Sequence, residues 1–96
     1  MAIYFQLLDK QSGTATAFND IDIELCTHFN EPIDDNKYLA GWYDSIGYRA
    51  ASGDNWQDII EYFEQPIADG EEWAIGLLDI AMYLSEKYTI NNWSGR

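Results

Sequence analysis

Ninety-six residues carry 17 Asp and Glu against 5 Lys and Arg, a formal charge of −12, with 47% apolar and 16% aromatic side chains. That length holds one domain, because two would each be too small to bury a core unaided, and so apolar a chain is not disordered despite its charge. The charge disfavours direct contact with DNA, RNA or an anionic membrane surface, since like charges repel and no cation cluster exists to grip phosphate.

The first residues, MAIYFQLLDK, lack the basic and long apolar regions of a signal peptide. No stretch approaches the ~20 apolar residues of a membrane span. One cysteine, Cys26, excludes an intrachain disulfide, and a reducing cytoplasm is the expected compartment. That would be the bacterial host cytoplasm if the gene is carried by a phage.

Ala2 to Leu8 (AIYFQLL) reads as a strand. Lys10 to Gly13 reads as a turn, and Thr14 to Phe18 as a short returning strand. An isolated hairpin is marginal in water, so this one must lie on the helices that follow. Residues 19–29 carry two periods at once. Ile21, Ile23 and Leu25 alternate with Asp22 and Glu24, which is strand spacing; Ile21, Leu25 and Phe29 fall at helix spacing. Helix is favoured, with Asn19 as N-cap, Asp20 and Asp22 in the first turn, Ile23 partly outward and Pro32 as the stop.

A second helix is expected within residues 34–53. Leu39, Trp42 or Tyr43, Ile46 and Ala50 share one face, and Gly53 is its stop. Gly41 and Gly47 weaken it by roughly 1 kcal/mol each unless they allow close packing. Asp54 then caps a third helix in a capping box with Gln57, Trp56, Ile59, Ile60 and Phe63 point inward, and Pro66 closes it. Asp69 with Glu72 caps a fourth. Trp73, Leu77, Ile80, Leu84 and Tyr88 line one side of that helix and Ile75, Leu78 and Met82 another, which predicts a helix central to the core. The tail NNWSGR reads as polar except for Trp93. The fold class is therefore α+β, an N-terminal β-hairpin packed on about four α-helices in one helix-dominated domain.

The stretch GDNWQDIIEYFEQPIADGEEW holds seven carboxylates, and no Lys or Arg occurs between Arg49 and Lys87. At 100° per residue Asp54, Asp58 and Glu61 fall within about 60° of one another, opposite the apolar stripe, with Glu64 flanking it. Surface helices usually gain a few tenths of a kcal/mol from cations at i+4, whereas like charges there repel by similar amounts. A second acidic set is Asp20, Glu24, Glu31, Asp34 and Asp35. Charge runs are commonly just solvated surface. The alternative is a binding surface whose carboxylates compete, at phosphate-like spacing, for the Lys and Arg that grip nucleic acid. Of the aromatic side chains, Trp42, Trp56 and Trp73 sit on apolar stripes. Tyr43, Tyr48, Tyr62, Tyr83 and Trp93 are candidates for exposure and for interface contact.

Signatures of catalysis are missing. His28 and Cys26, two residues apart on a helix, point about 160° from each other and make no dyad. One Cys and one His supply no zinc set without carboxylates. Asp20, Asp22 and Glu24 lack the glycine and terminal Glu of a calcium loop. Carboxylate pairs such as Asp34 with Asp35 or Glu71 with Glu72 are expected by chance in so acidic a chain. No catalytic residue, metal ligand or cofactor is therefore assigned.

At the level of class, this short, acidic, aromatic-rich chain resembles the small inhibitors that bacteriophages encode against host restriction, CRISPR or transcription complexes. It also resembles the acidic immunity proteins that neutralise basic nuclease toxins. Neither class has a shared motif, so no residue is carried over from them. The resemblance implies a non-catalytic inhibitor that mimics DNA charge. Its expected partner is a basic protein or nucleoprotein complex that handles nucleic acid, met through Asp54, Asp58, Glu61, Glu64, Tyr62, Asp34, Asp35, Glu71 and Glu72. A structural or adaptor module using exposed aromatics is the reading from a different class. The oligomeric state is open.

Overall fold

The computed structural model describes residues 3–30, 41–71 and 73–94, with side chains given for 4–30, 41–71 and 73–92. The fold is α+β, a three-stranded antiparallel sheet with helices packed on it.

The sheet is built around β1 (Ile3–Asp9), with strand order β2–β1–β3. The expected hairpin is present but short. β2 (Ala15–Thr16) pairs only with Leu7 and Leu8. Its turn is set by Asp9, whose Oδ1 accepts the N–H groups of Gln11 and Ser12, and by Gly13, whose φ of 72° is open to glycine at no steric cost. The main partner of β1 is β3 (Tyr88–Ser94), paired along the full run from Ile3 with Ser94 to Asp9 with Tyr88. This corrects the reading of the tail as merely polar and of Tyr88 as helical. The period-two signal was present, because Tyr88 and Ile90 alternate with Thr89 and Asn91. It was hidden because Tyr88 also continues the i+4 series of Leu84.

Residues 19–29 are helical, within α1 (Phe18–Phe29). Ile21 and Leu25 are buried and Ile23 is exposed, so the helical period wins. The expected cap is shifted: Ala17, not Asn19, holds the N-cap position, and it makes no side-chain bond. Starting the helix at Phe18 sets its ring 5.0 Å from Phe5 and 4.9 Å from Tyr43. That packing outweighs the ~1 kcal/mol of an asparagine cap. Asn30, with φ 55°, ends α1 in the left-handed region that Asn tolerates. Pro32 and Leu39 lie outside the described residues.

A π-helical turn, Tyr43–Gly47, leads into the short α2 (Tyr48–Ala51). Trp42, Ile46 and Ala50 are buried, as the spacing predicts. Gly47 is there for space: a Cβ would sit 3.1 Å from the Phe5 ring. Gly53, with φ 101°, ends α2. Its N–H bonds Ala50 O and the Asp54 N–H bonds Arg49 O, a Schellman stop.

α3 (Trp56–Ala68) is capped one residue later than expected. Asn55 Oδ1 accepts the Asp58 N–H at 2.9 Å, and Asp58 accepts back from the Asn55 N–H at 3.3 Å. Asn55→Ala is expected to cost about 1 kcal/mol, read as a lower urea midpoint at unchanged slope. A midpoint equal to that of the parent chain would assign the cap no role. Ile59 and Phe63 are buried, while Trp56 and Ile60 are partly buried against the same core. Pro66 does not close the helix. Its fixed φ is compatible with helix, and only two further residues follow. The stop is Gly70 (φ 88°), where Gly70 N–H bonds Ile67 O and Glu71 N–H bonds Pro66 O.

Asp69 therefore ends α3 rather than capping α4, and its N–H bonds Gln65 O and Pro66 O. α4 (Trp73–Lys87) buries Ala74, Leu77, Ile80, Ala81 and Leu84. Its second apolar stripe is covered only at Leu78, which packs partly buried against the core, while Ile75 is 46% and Met82 49% exposed; Trp73, of the first stripe, also shows to solvent. α4 gives the core more buried residues than any other described helix, with one side open to solvent. Its two buried alanines let its neighbours approach closely, and α3 is the helix it packs on most.

Candidate functional site

On α3 the expected acidic face is present. Asp58, Glu61 and Glu64 are exposed, and Ile59 and Phe63 are buried on the far side. Gln57 Nε2 donates to Glu61 at 3.2 Å, and Gln65 donates to Asp69 at 3.4 Å. In both pairs an amide, not a cation, stands four residues before the carboxylate. Asp58 has a structural duty as well, since it closes the capping box.

Asp54 is corrected twice. It precedes the helix, and it is not a free charge. Arg49 Nε and Asp54 Oδ2, both shielded from solvent, face each other at 2.7 Å. The Arg49 guanidinium also lies 4.1 Å from the centre of the Tyr62 ring. Tyr62 remains exposed on its other side, edge-on to Phe63 at 5.3 Å. Arg49 thus ties α2 to the segment before α3 through one ion pair and to α3 itself through one ring contact. Glu71 is exposed just beyond the stop of α3. Glu72, Asp34, Asp35 and Glu31 lie outside the described residues, as does the side chain of Trp93.

Glu24 sits at a junction that sequence reasoning placed on an open acidic surface. Its Oε1 accepts from Tyr83 OH at 2.7 Å and from Lys87 Nζ at 3.1 Å, and its Oε2 accepts from Tyr88 OH. Burial pushes its pKa up, but the donors from Tyr88, Tyr83 and Lys87 outweigh that and hold it below the usual carboxylate value. Burial and the Glu24 carboxylate push Tyr88 up to about 12. Tyr83 was expected to be exposed. It is half-buried and is also covered by the His28 ring at 4.0 Å. Part of a signal existed in the sequence: Tyr83 and Lys87 fall at i, i+4 on one face. Their acceptor lies 59 and 63 residues away, out of reach of any local pattern.

Lys10, Arg49 and Lys87, the cations among the described residues, are thus all engaged, since Lys10 Nζ donates to Ser85 O at 2.7 Å. His28 is exposed and Cys26 is partly buried with a free thiol. Among the described residues no group of three or more His, Cys, Asp or Glu is placed to hold a metal ion. No described helix is long and apolar enough to cross a membrane. Comparison with protein-family models, curated proteins and solved structures found no match.

Proposed function

We propose that this chain is a non-catalytic binding protein that occludes the basic, nucleic-acid-binding surface of a protein or nucleoprotein complex by charge mimicry. This is the action of the small phage inhibitors directed at CRISPR or restriction complexes. The observation that supports it is the exposed α3 face. Asp58, Glu61 and Glu64 stand there without an ion pair among the described residues, while Lys10, Arg49 and Lys87 are held elsewhere. A merely solvated helix gains by mixing signs; this one forgoes that gain. The attraction between such a face and a cationic groove is long-ranged and speeds encounter, and it is screened by salt.

The test uses Glu61→Lys with Glu64→Lys, which leaves the capping-box Asp58 in place. Tagged parent and variant chains are compared for capture of a nucleic-acid-handling complex from bacterial lysate and for release of that complex's DNA. The variant is expected to bind at least roughly tenfold more weakly, and parent binding should fall steeply as salt rises. Equal binding by the variant, or capture that salt does not weaken, would remove this face from the mechanism. The second outcome favours an adaptor module docking through apolar side chains, a reading supported by the exposure of Ile75 and Met82 on α4.

A further inference from the structure

A second surface, which includes none of the α3 carboxylates, lies where the π-helical turn meets β1. Phe5, Tyr43, Asp44, Gly47, Tyr48 and Ala51 line a shallow groove of about 250 Å³. That is below the ~300–1,000 Å³ of a site for a small organic ligand, and suits one inserted side chain. The backbone makes this groove. In an α-helix residues five apart point about 140° from each other. Here the wider π-helical stretch Tyr43–Gly47 intervenes, the Tyr48 N–H bonds Asp44 O, and Tyr43 and Tyr48 both line the groove. π-turns are unfavourable and recur where they place side chains for use. Gly47 forms the floor, where the Phe5 ring already lies 3.1 Å from the place a Cβ would take.

The two tyrosines differ in a useful way. Tyr43 is fixed, 5.9 Å from Phe5 and edge-on to Phe18 at 4.9 Å. Tyr48 is 70% exposed and its ring has no partner among the described residues. Between them Asp44 is exposed, and its carboxylate makes no hydrogen bond or ion pair among the described residues. Negative ring faces beside an uncompensated carboxylate, on a chain of charge −12, select a cation.

We propose that this groove takes one arginine side chain of the partner, with the guanidinium stacked on Tyr43 or Tyr48 and paired to Asp44. Arginine fits better than lysine because its planar, weakly hydrated head stacks on rings and hydrogen-bonds a carboxylate at once. The same chain already uses that arrangement internally, with Arg49 over Tyr62 and against Asp54. This inference deepens the reading of a basic partner and rests on it.

The test is a titration of the isotope-labelled full chain, followed by NMR, with three capped tripeptides that differ only in a central arginine, lysine or citrulline. Arginine is expected to shift the resonances of Phe5, Tyr43, Asp44, Gly47 and Tyr48, lysine more weakly and citrulline not at all. Asp44→Asn should weaken the arginine response about threefold, as for an exposed ion pair, and Tyr48→Ala should weaken it by a similar factor. Glu61→Lys with Glu64→Lys should leave the groove shifts in place. Shifts absent from the groove, equal for citrulline, or equal for lysine would each overturn the assignment. If the groove fails while the α3 reversal still abolishes capture of the basic complex, the charge-mimicry reading stands without it. If the groove responds while capture survives the α3 reversal, that reading falls and the groove remains.

Discussion

Phe63→Ala is expected to destabilise the chain by about 3 to 5 kcal/mol, the largest single-residue effect anticipated here. Phe63 is fully buried on α3, edge-on to Tyr62 at 5.3 Å and to Trp73 at 6.4 Å. Truncation removes the transfer energy of a ring and leaves a cavity in the core to which α3 and α4 both contribute. A domain of this size has a total stability of roughly 5 to 15 kcal/mol. At −12 the folded chain also repels itself, so its margin is smaller at low salt. Urea unfolding should show a lower midpoint at unchanged slope, partly restored by added salt. A loss below about 1 kcal/mol would mean that the site collapses without a cavity and that Phe63 is not central to the core.

Glu24→Ala is the second large effect, expected at about 2 to 3 kcal/mol. It strands Tyr83 and Tyr88, whose hydroxyls both donate to that carboxylate, and frees Lys87. The pH dependence follows from the direction of the shift. Glu24 is held below its ordinary value of 4.5 in the folded chain. The unfolded chain therefore takes up the proton first. The stabilisation is full above the unfolded value and is lost as pH falls through the lower folded value. At the alkaline end the sign reverses. Tyr88 is raised from 10.0 to about 12, so its contribution is full below 10.0 and lost as pH rises toward 12. Glu24→Gln should keep part of the bonding, because the tyrosine hydroxyls can turn, yet it should flatten the acid limb of the stability curve. An acid limb unchanged in Glu24→Gln would assign it to other carboxylates.

These two residues also mark what the sequence carried. Phe63 was legible, because Ile59, Ile60 and Phe63 repeat at helical spacing and burial follows from that period. Glu24 was not, because its partners belong to α4 and β3. Asp54 was misplaced for a local reason: the Gly53 stop folds the chain back so that Arg49, five residues earlier, meets it. Asp58, Glu61 and Glu64 were found correctly as an exposed set, since a face opposite a buried stripe must meet water. The aromatic groove was invisible, because a π-turn has no periodic signature of its own and only the packing of Phe5 on Gly47 shows why the backbone widens there.

The sequence by itself determined the α+β class and the sign of the surface, favoured helix over strand for residues 19–29, and placed Ile21, Leu25, Ile59, Phe63, Leu77, Ile80 and Leu84 inward. These follow from period, turn chemistry and charge, which act within a few residues. Tertiary structure alone decided the rest. β1 needed a partner longer than the two-residue β2, and Tyr88–Ser94 became that strand because seven residues of backbone would otherwise lack their ladder bonds. α3 covers α4 on the core side, where Leu78 also packs, and Ile75 and Met82 are left facing solvent. Long-range pairing, set by backbone satisfaction and the limited number of layers, overrode the local pattern at those places.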